Sequence, residues 1–184
     1  MFDWNRFLFE RILGLVNKSQ LLDNMGVFFA EYLPYFLVLA LIVFIIARPD
    51  SRKKWLAFAE IGLALILARG LATEIIQYFY ASPRPFAVYG FTPLIPESGN
   101  SLPSGHAAFM FALAMVLWFL DKKWGAWFML FAVLNGVARV FVGVHWPLDI
   151  LAGAAVGILS ALAVHALVRE KKKLPLLSGT TPAE

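Results

Sequence analysis

Five apolar runs, about 21-47, 55-81, 104-120, 124-141 and 148-168, take up most of the 184 residues. A helix of about 20 such residues spans the roughly 30 Å hydrocarbon core of a bilayer. The chain is therefore expected to be an all-α, polytopic membrane helix bundle with about five transmembrane helices. Its hydrophobic content of 60% is far above that of a soluble domain. Trp55, Trp118, Trp124 and Trp127 fall near the proposed ends, where interfacial tryptophans anchor spans. A chain of this length reads as a single domain, 1-173, followed by a tail, 174-184, whose Pro, Ser and Thr content predicts mobility. No cysteine is present, which removes disulfides and thiolate metal sites.

Ahead of the first run, no basic segment leads into a short apolar core with a small-residue cleavage site, so no cleaved signal peptide is expected. From Phe2 to Val16, the apolar residues Trp4, Phe7, Leu8, Ile12 and Leu15 recur at helical spacing between Asp3, Arg6, Glu10 and Arg11. That pattern predicts an amphipathic helix lying in the interface. The net charge of +4 does not point to nucleic acid, because the basic residues sort by connection. Arg48, Arg52, Lys53 and Lys54 join the first two runs, Lys122 and Lys123 the third and fourth, and Arg169 with Lys171, Lys172 and Lys173 follow the fifth. By the positive-inside rule these connections are cytoplasmic, and 82-103 and 142-147 lie on the outer side.

The polar clusters of the chain fall in or beside those outer connections: Ser82-Pro83-Arg84-Pro85, Pro103-Ser104-Gly105-His106, and Arg139, His145 and Asp149 at the spacing R-x5-H-x3-D. Two arginines can clamp a phosphoryl group, and two histidines can serve as nucleophile and acid. Pro147 suits the first turn of a helix, which sets Asp149 just inside the fifth span. Asp149 is expected to accept the Nδ1 proton of His145, fixing the tautomer and freeing Nε2 to attack phosphorus. Ser104 and Gly105 precede a helix N-terminus, where backbone N–H groups and the dipole favour an anion, with Gly105 allowing close approach. His106 is then placed to protonate the leaving oxygen and later to activate water. Arg84 and Arg139 are assigned to the equatorial oxygens. With no carboxylate cluster suited to magnesium, neither metal nor cofactor is expected.

These clusters, in this order, closely resemble the pattern K-x6-RP, PSGH, SR-x5-H-x3-D of the type 2 phosphatidic acid phosphatase superfamily. The resemblance implies a phosphohistidine intermediate. Two positions depart from the pattern: Gln77 stands where the lysine is expected, and Ala138 where the serine is. The site is thus one cation poorer than usual, and Gln77 offers only a hydrogen bond. Over roughly 15-165 the chain is similar to the bacitracin-resistance subgroup of undecaprenyl diphosphate phosphatases. The likeness runs through Phe28-Phe29-Ala30-Glu31-Tyr32, Arg84-Pro85-Phe86 and Arg139 through Asp149, although that subgroup has PSDH where this chain has PSGH. It implies release of the terminal phosphate of undecaprenyl diphosphate at the outer face of the bacterial inner membrane, in carrier-lipid recycling. The alternatives are a phosphatidylglycerophosphate, phosphatidate or lipid A phosphatase, or a phospholipid-binding transporter or sensor without chemistry. Vanadate-dependent haloperoxidases have a similar site but are soluble.

Arg69 is the deepest charge, and Glu31 or Glu74 is expected to be its mate, because a charge at the bilayer centre needs a partner. The pair is either structural, or Glu74, one turn from Gln77, faces the site and tunes Arg84 or substrate binding. His165 is expected to be a boundary residue. Gly153 and Gly157 mark a packing face within the chain.

Overall fold

The computed structural model describes residues 3-47 and 51-173, and only the backbone of 51-53 and 170-173. The expected mobile tail, 174-184, lies outside these residues. Among the described residues the chain forms seven helices and no strand. Helix α1 is Asp3–Leu13 and α2 is Gln20–Ile46. Helix α3 runs continuously through Ser51–Leu65, Ile66–Thr73 and Glu74–Phe79. Then follow α4 (Pro85–Tyr89), α5 (Gly105–Leu120), α6 (Lys122–Phe141) and α7 (Pro147–Lys173). Helices α2, α3, α6 and α7 are long and apolar enough to cross a membrane. Helix α5, with 16 residues, is shorter and sits at the centre. The protein is a multi-pass membrane bundle.

The centre is α5 because it is apolar on every side: Ala107, Ala108, Met110, Ala112, Leu113, Ala114, Val116 and Leu117 are all buried. Helix α7 approaches it at Gly153 and Gly157. A Cβ at Gly157 would lie 2.8 Å from the Ala112 amide nitrogen, and one at Gly153 would lie 2.8 Å from the Ala107 Cβ. The small pair read from sequence therefore packs inside the chain, where backbone proximity supplies the van der Waals contact that lipid tails cannot displace.

Two spans widen into π-type turns, at Phe28–Tyr32 in α2 and Ile66–Thr73 in α3. Such turns offset the helix faces on either side and leave carbonyls to be satisfied by other donors. Asn135 of α6 donates from Nδ2 to the carbonyls of Phe29 and Ala30 at 2.7 and 3.1 Å. Thr73 donates from Oγ1 to the Ala68 carbonyl at 2.8 Å. The two stretches carry Glu31 and Arg69, ionisable residues inside spans.

The connections 82-103 and 142-146 meet at one end of the bundle, through Leu94 N–H to the Val142 carbonyl at 3.1 Å, and Ser101 N–H to the Ser82 carbonyl at 2.9 Å closes the longer connection on itself. Pro83, Pro85, Pro93, Pro96 and Pro103, with Gly90 and Gly99, predict that 82-103 is a stiffened, irregular loop rather than another helix, yet it contains α4. Pro85 is tolerated at the first helical position, and Gly90, at φ 69°, ends the helix in the left-handed region. Helix α1 lies across this end. Its predicted apolar residues Trp4, Phe7 and Leu8 stay exposed, whereas Phe9 is fully buried, 4.9 Å from the Trp146 ring. Asn5 accepts the Leu148 N–H at 2.9 Å, at the start of α7. At the opposite end His165 is not solitary: its Nδ1 lies 2.5 Å from Glu60 Oε1, and its ring stacks on Phe119.

Candidate active site

The end formed by 82-103 and 142-146 brings together the three clusters found in sequence. His145, in the turn between α6 and α7, and Asp149, in the first turn of α7, are both almost fully buried. Pro147 opens α7, so that Asp149 Oδ2 returns to within 3.5 Å of His145 Nδ1. The carboxylate is held from two further sides, by the Trp146 N–H at 2.8 Å and by the Ser101 hydroxyl at 2.5 Å. Ser101 Oγ also lies 3.4 Å from His145 Nδ1. Burial disfavours the imidazolium more than Asp149 favours it, so the pKa of His145 falls below its ordinary value. The ring is neutral at rest, and Nε2 faces Arg84 Nη1 at 3.4 Å.

Arg84, expected to grip two phosphoryl oxygens, is largely committed to the backbone. Its Nε donates to the Gly99 carbonyl at 3.1 Å, Nη1 to Val144 at 3.0 Å, and Nη2 to Ser98 and Asn100 at 2.9 and 3.2 Å. It ties the two connections together and leaves one Nη1 proton directed toward the His145 side. Arg139, near the end of α6 and 1% exposed, offers more: its Nε and Nη1 have no hydrogen-bond partner among the described residues. Its Nη2 is paired with Glu97, whose other oxygen is 3.8 Å from Arg84 Nη2. Glu31 approaches Arg139 Nη1 at 3.8 Å. Burial alone would raise the Glu97 carboxyl, but Arg139 and Arg84 together outweigh it and hold its pKa below the ordinary value. An ionised carboxylate thus occupies the space between the two arginines.

The N-terminus of α5 faces the same space. Ser104 is its N-cap, accepting the Ala107 N–H on Oγ at 3.4 Å, while its own N–H goes to the Asp149 carbonyl at 3.0 Å. The amides of Gly105 and His106 are the first-turn donors left over. Gln77, the position of the absent lysine, donates from Nε2 to the Pro103 carbonyl at 2.8 Å and so fixes the loop ahead of Ser104. Gly105 has a neighbour that sequence does not foresee. A Cβ there would lie 2.5 Å from Arg69 Nε and 3.0 Å from its Cζ. Of the two acids expected to pair with Arg69, the structure selects Glu74, which therefore faces Arg69 and not Arg84. Arg139, Glu97 and Arg69 are the charged groups whose fields reach the His106 ring.

One end of the bundle thus holds a neutral imidazole with a carboxylate behind it, a second imidazole, two guanidinium groups and an open helix N-terminus. That set can hold a phosphoryl group, attack it in line and accept its leaving oxygen. Sequence reasoning overlooks Ser101 and Glu97. Glu97 is the sole acid of 82-103, which is the signal that was available. Among the described residues no three His, Asp or Glu side chains are grouped to hold a metal ion.

Over residues 57–173 the chain matches the PAP2 superfamily. It is 34% identical over 158 residues to the bacitracin transport permease protein BcrC of Bacillus licheniformis, covering 85% of this chain and 76% of that protein. To the undecaprenyl-diphosphatase BcrC of Bacillus subtilis it is 32% identical over 158 residues, covering 84% and 79%. The crystal structure of Aquifex aeolicus LpxE is similar at a TM-score of 0.75 and 29% identity, covering 90% of this chain and 96% of that one.

Proposed function

The chain belongs to the PAP2 superfamily and is a phosphatase; from that premise we propose that it converts undecaprenyl diphosphate to undecaprenyl phosphate at the outer face of the bacterial cytoplasmic membrane. The observation that carries the chemistry is the buried His145, with Asp149 behind Nδ1 and an arginine beside Nε2. A protein that only bound or carried a lipid phosphate would need cations but no oriented imidazole. The choice of substrate is supported by the similarity to a Bacillus undecaprenyl-diphosphatase over most of both chains. Support for the outer side comes from the connections between spans: Lys54, Lys122, Lys123 and Arg169 fall in or beside those away from the site, and the basic residues of the N-terminal segment, among them Arg6, which lines a cavity with Asp149, lie outside that count.

In this reading the terminal phosphoryl group displaces Glu97 and lies on Arg139, the Gly105 and His106 amides and the remaining Arg84 proton. His145 Nε2 attacks phosphorus, the P–O bond to the bridging oxygen breaks, and its electron pair leaves on the lipid phosphate with a proton from His106. Asp149, held by Ser101 and the Trp146 N–H, stabilises the positive charge that develops on the imidazole. Water, losing a proton to His106, then attacks the phosphohistidine and releases inorganic phosphate.

The test is phosphate release by the detergent-purified protein from undecaprenyl diphosphate, phosphatidylglycerophosphate, phosphatidate and lipid A, with and without chelator. The expected result is preference for the diphosphate, unchanged by the chelator. Preference for phosphatidate would overturn the substrate assignment.

A further inference from the structure

Beyond the phosphate seat, Arg69 lies against the same helix terminus and has no role in the chemistry described so far. Arg69 lies in the π-type stretch of α3, ten residues from the outer end at Phe79, or about 15 Å along a helix axis. Its guanidinium is packed on Gly105, the first residue of α5, so closely that a Cβ there would lie 2.5 Å from Nε and would push the arginine aside. It is half exposed and pairs with Glu74 through Nη1, its sole hydrogen-bond partner among the described residues. A pair formed only to neutralise charge within the bilayer has no need to sit against the helix terminus that faces the phosphate. The widened turn carrying Arg69 is the kind of irregularity that gathers at functional sites.

Resting on the proposed cleavage of a lipid diphosphate, we infer that Arg69 binds the second phosphate of the substrate, the one that departs on the lipid, and so selects diphosphates over monophosphates. The order of groups fits a diphosphate. Arg139 and the α5 amides hold the terminal phosphoryl group, His106 serves the bridging oxygen, and Arg69 lies beside Gly105 on the α3 side. As the P–O bond breaks, the electron pair passes to the leaving phosphate, and Arg69 is placed to stabilise the negative charge that builds up there before the His106 proton neutralises it. A monophosphate has no group at that point, and Arg69 adds nothing to it. Next to Arg69 in sequence, Ile66, Leu67 and Leu71 line, with Leu63, Val164 and Leu167, an apolar groove of about 440 Å³ between α3 and α7. It offers a path for the hydrocarbon that follows the second phosphate. Gln77 leaves the terminal phosphate one cation poorer, and Arg69 adds a cation one phosphate further along.

Inorganic pyrophosphate and orthophosphate, as competitive inhibitors of the full-length protein in detergent with chelator, separate the two positions. Arg69→Gln is expected to raise the inhibition constant of pyrophosphate about tenfold or more and that of orthophosphate by less than about twofold, with Arg69→Lys in between. Parallel changes in both constants, or none, would overturn the assignment. Should Arg69→Gln fail to fold, Glu74→Gln is the second variant. By releasing Arg69 from its counter-ion it should lower the pyrophosphate constant alone, and an equal shift in both or none again overturns the proposal. A wild type that hydrolyses phosphatidate faster than a prenyl diphosphate refutes the proposed function. One that prefers the diphosphate but shows parallel inhibitor shifts refutes only the role of Arg69.

Discussion

Ser101→Ala isolates the least obvious part of the proposed mechanism. The Ser101 hydroxyl donates to Asp149 Oδ2 at 2.5 Å and lies 3.4 Å from His145 Nδ1, so it holds both members of the pair. A hydrogen bond to a charged group contributes about 1.5–3 kcal/mol. The contribution grows as His145 becomes cationic on attack, because a drifting carboxylate can no longer follow the developing charge. The Trp146 N–H at 2.8 Å keeps Asp149 from leaving altogether, so the loss is partial. At about 1.36 kcal/mol per tenfold, kcat should fall roughly ten- to a hundredfold. The Michaelis constant should change little, since Ser101 touches no phosphoryl oxygen. Phosphate release from undecaprenyl diphosphate at saturating and limiting substrate separates the two parameters. A kcat within about threefold of wild type would refute the reasoning, as would a loss confined to the Michaelis constant.

Three other outcomes are expected. Glu97→Gln removes the carboxylate that competes for Arg139, so the Michaelis constant and the inhibition constant of orthophosphate should fall by on the order of tenfold; no fall in either would contradict that placement. In imidazole NMR of the protein in detergent, His145 should titrate below its ordinary pKa of about 6.5, because burial outweighs Asp149. As its folded pKa lies below the unfolded one, its contribution to stability is complete above about pH 6.5 and is lost as pH falls through the folded value; titration above 6.5 would reverse that sign. In this cysteine-free chain, a cysteine introduced at Gly90 or Ser98 should react with an impermeant thiol reagent added to intact cells, and one at Lys122 should not; the reverse pattern would move the site to the cytoplasm.

Much of this architecture is legible in sequence, because a membrane leaves few choices. The length of each apolar run sets its span, and Pro147 marks the start of α7 through a physical rule about helix N-termini. The meeting of Arg84, His106, Arg139, His145 and Asp149 follows from alternation of sides along successive spans. Helix α4 is hidden because five prolines in 82-103 read as breakers, and only the pairing of Pro85 with Gly90 at its ends reveals it. Arg69 and Glu31 are hidden for a different reason. A π-type turn shifts the faces of a helix, so a 3.6-residue period cannot say where a charge inside it points. Gly105 reads as room for a phosphate, and the structure fills that room with a guanidinium. Arg84 reads as a phosphate clamp, yet four backbone carbonyls on distant residues take most of its donors, which no local pattern encodes.

The central claim is that His145 forms a covalent bond to phosphorus, and trapping that bond tests it most directly. Rapid quenching of wild type mixed with prenyl diphosphate labelled in its terminal phosphate should leave label on the protein, stable in base and labile in acid as a phosphoramidate is. His145→Ala, folded and reconstituted identically, should carry none and should turn over nothing. Label retained by His145→Ala, or wild-type-like phosphate release from that variant, would contradict the account.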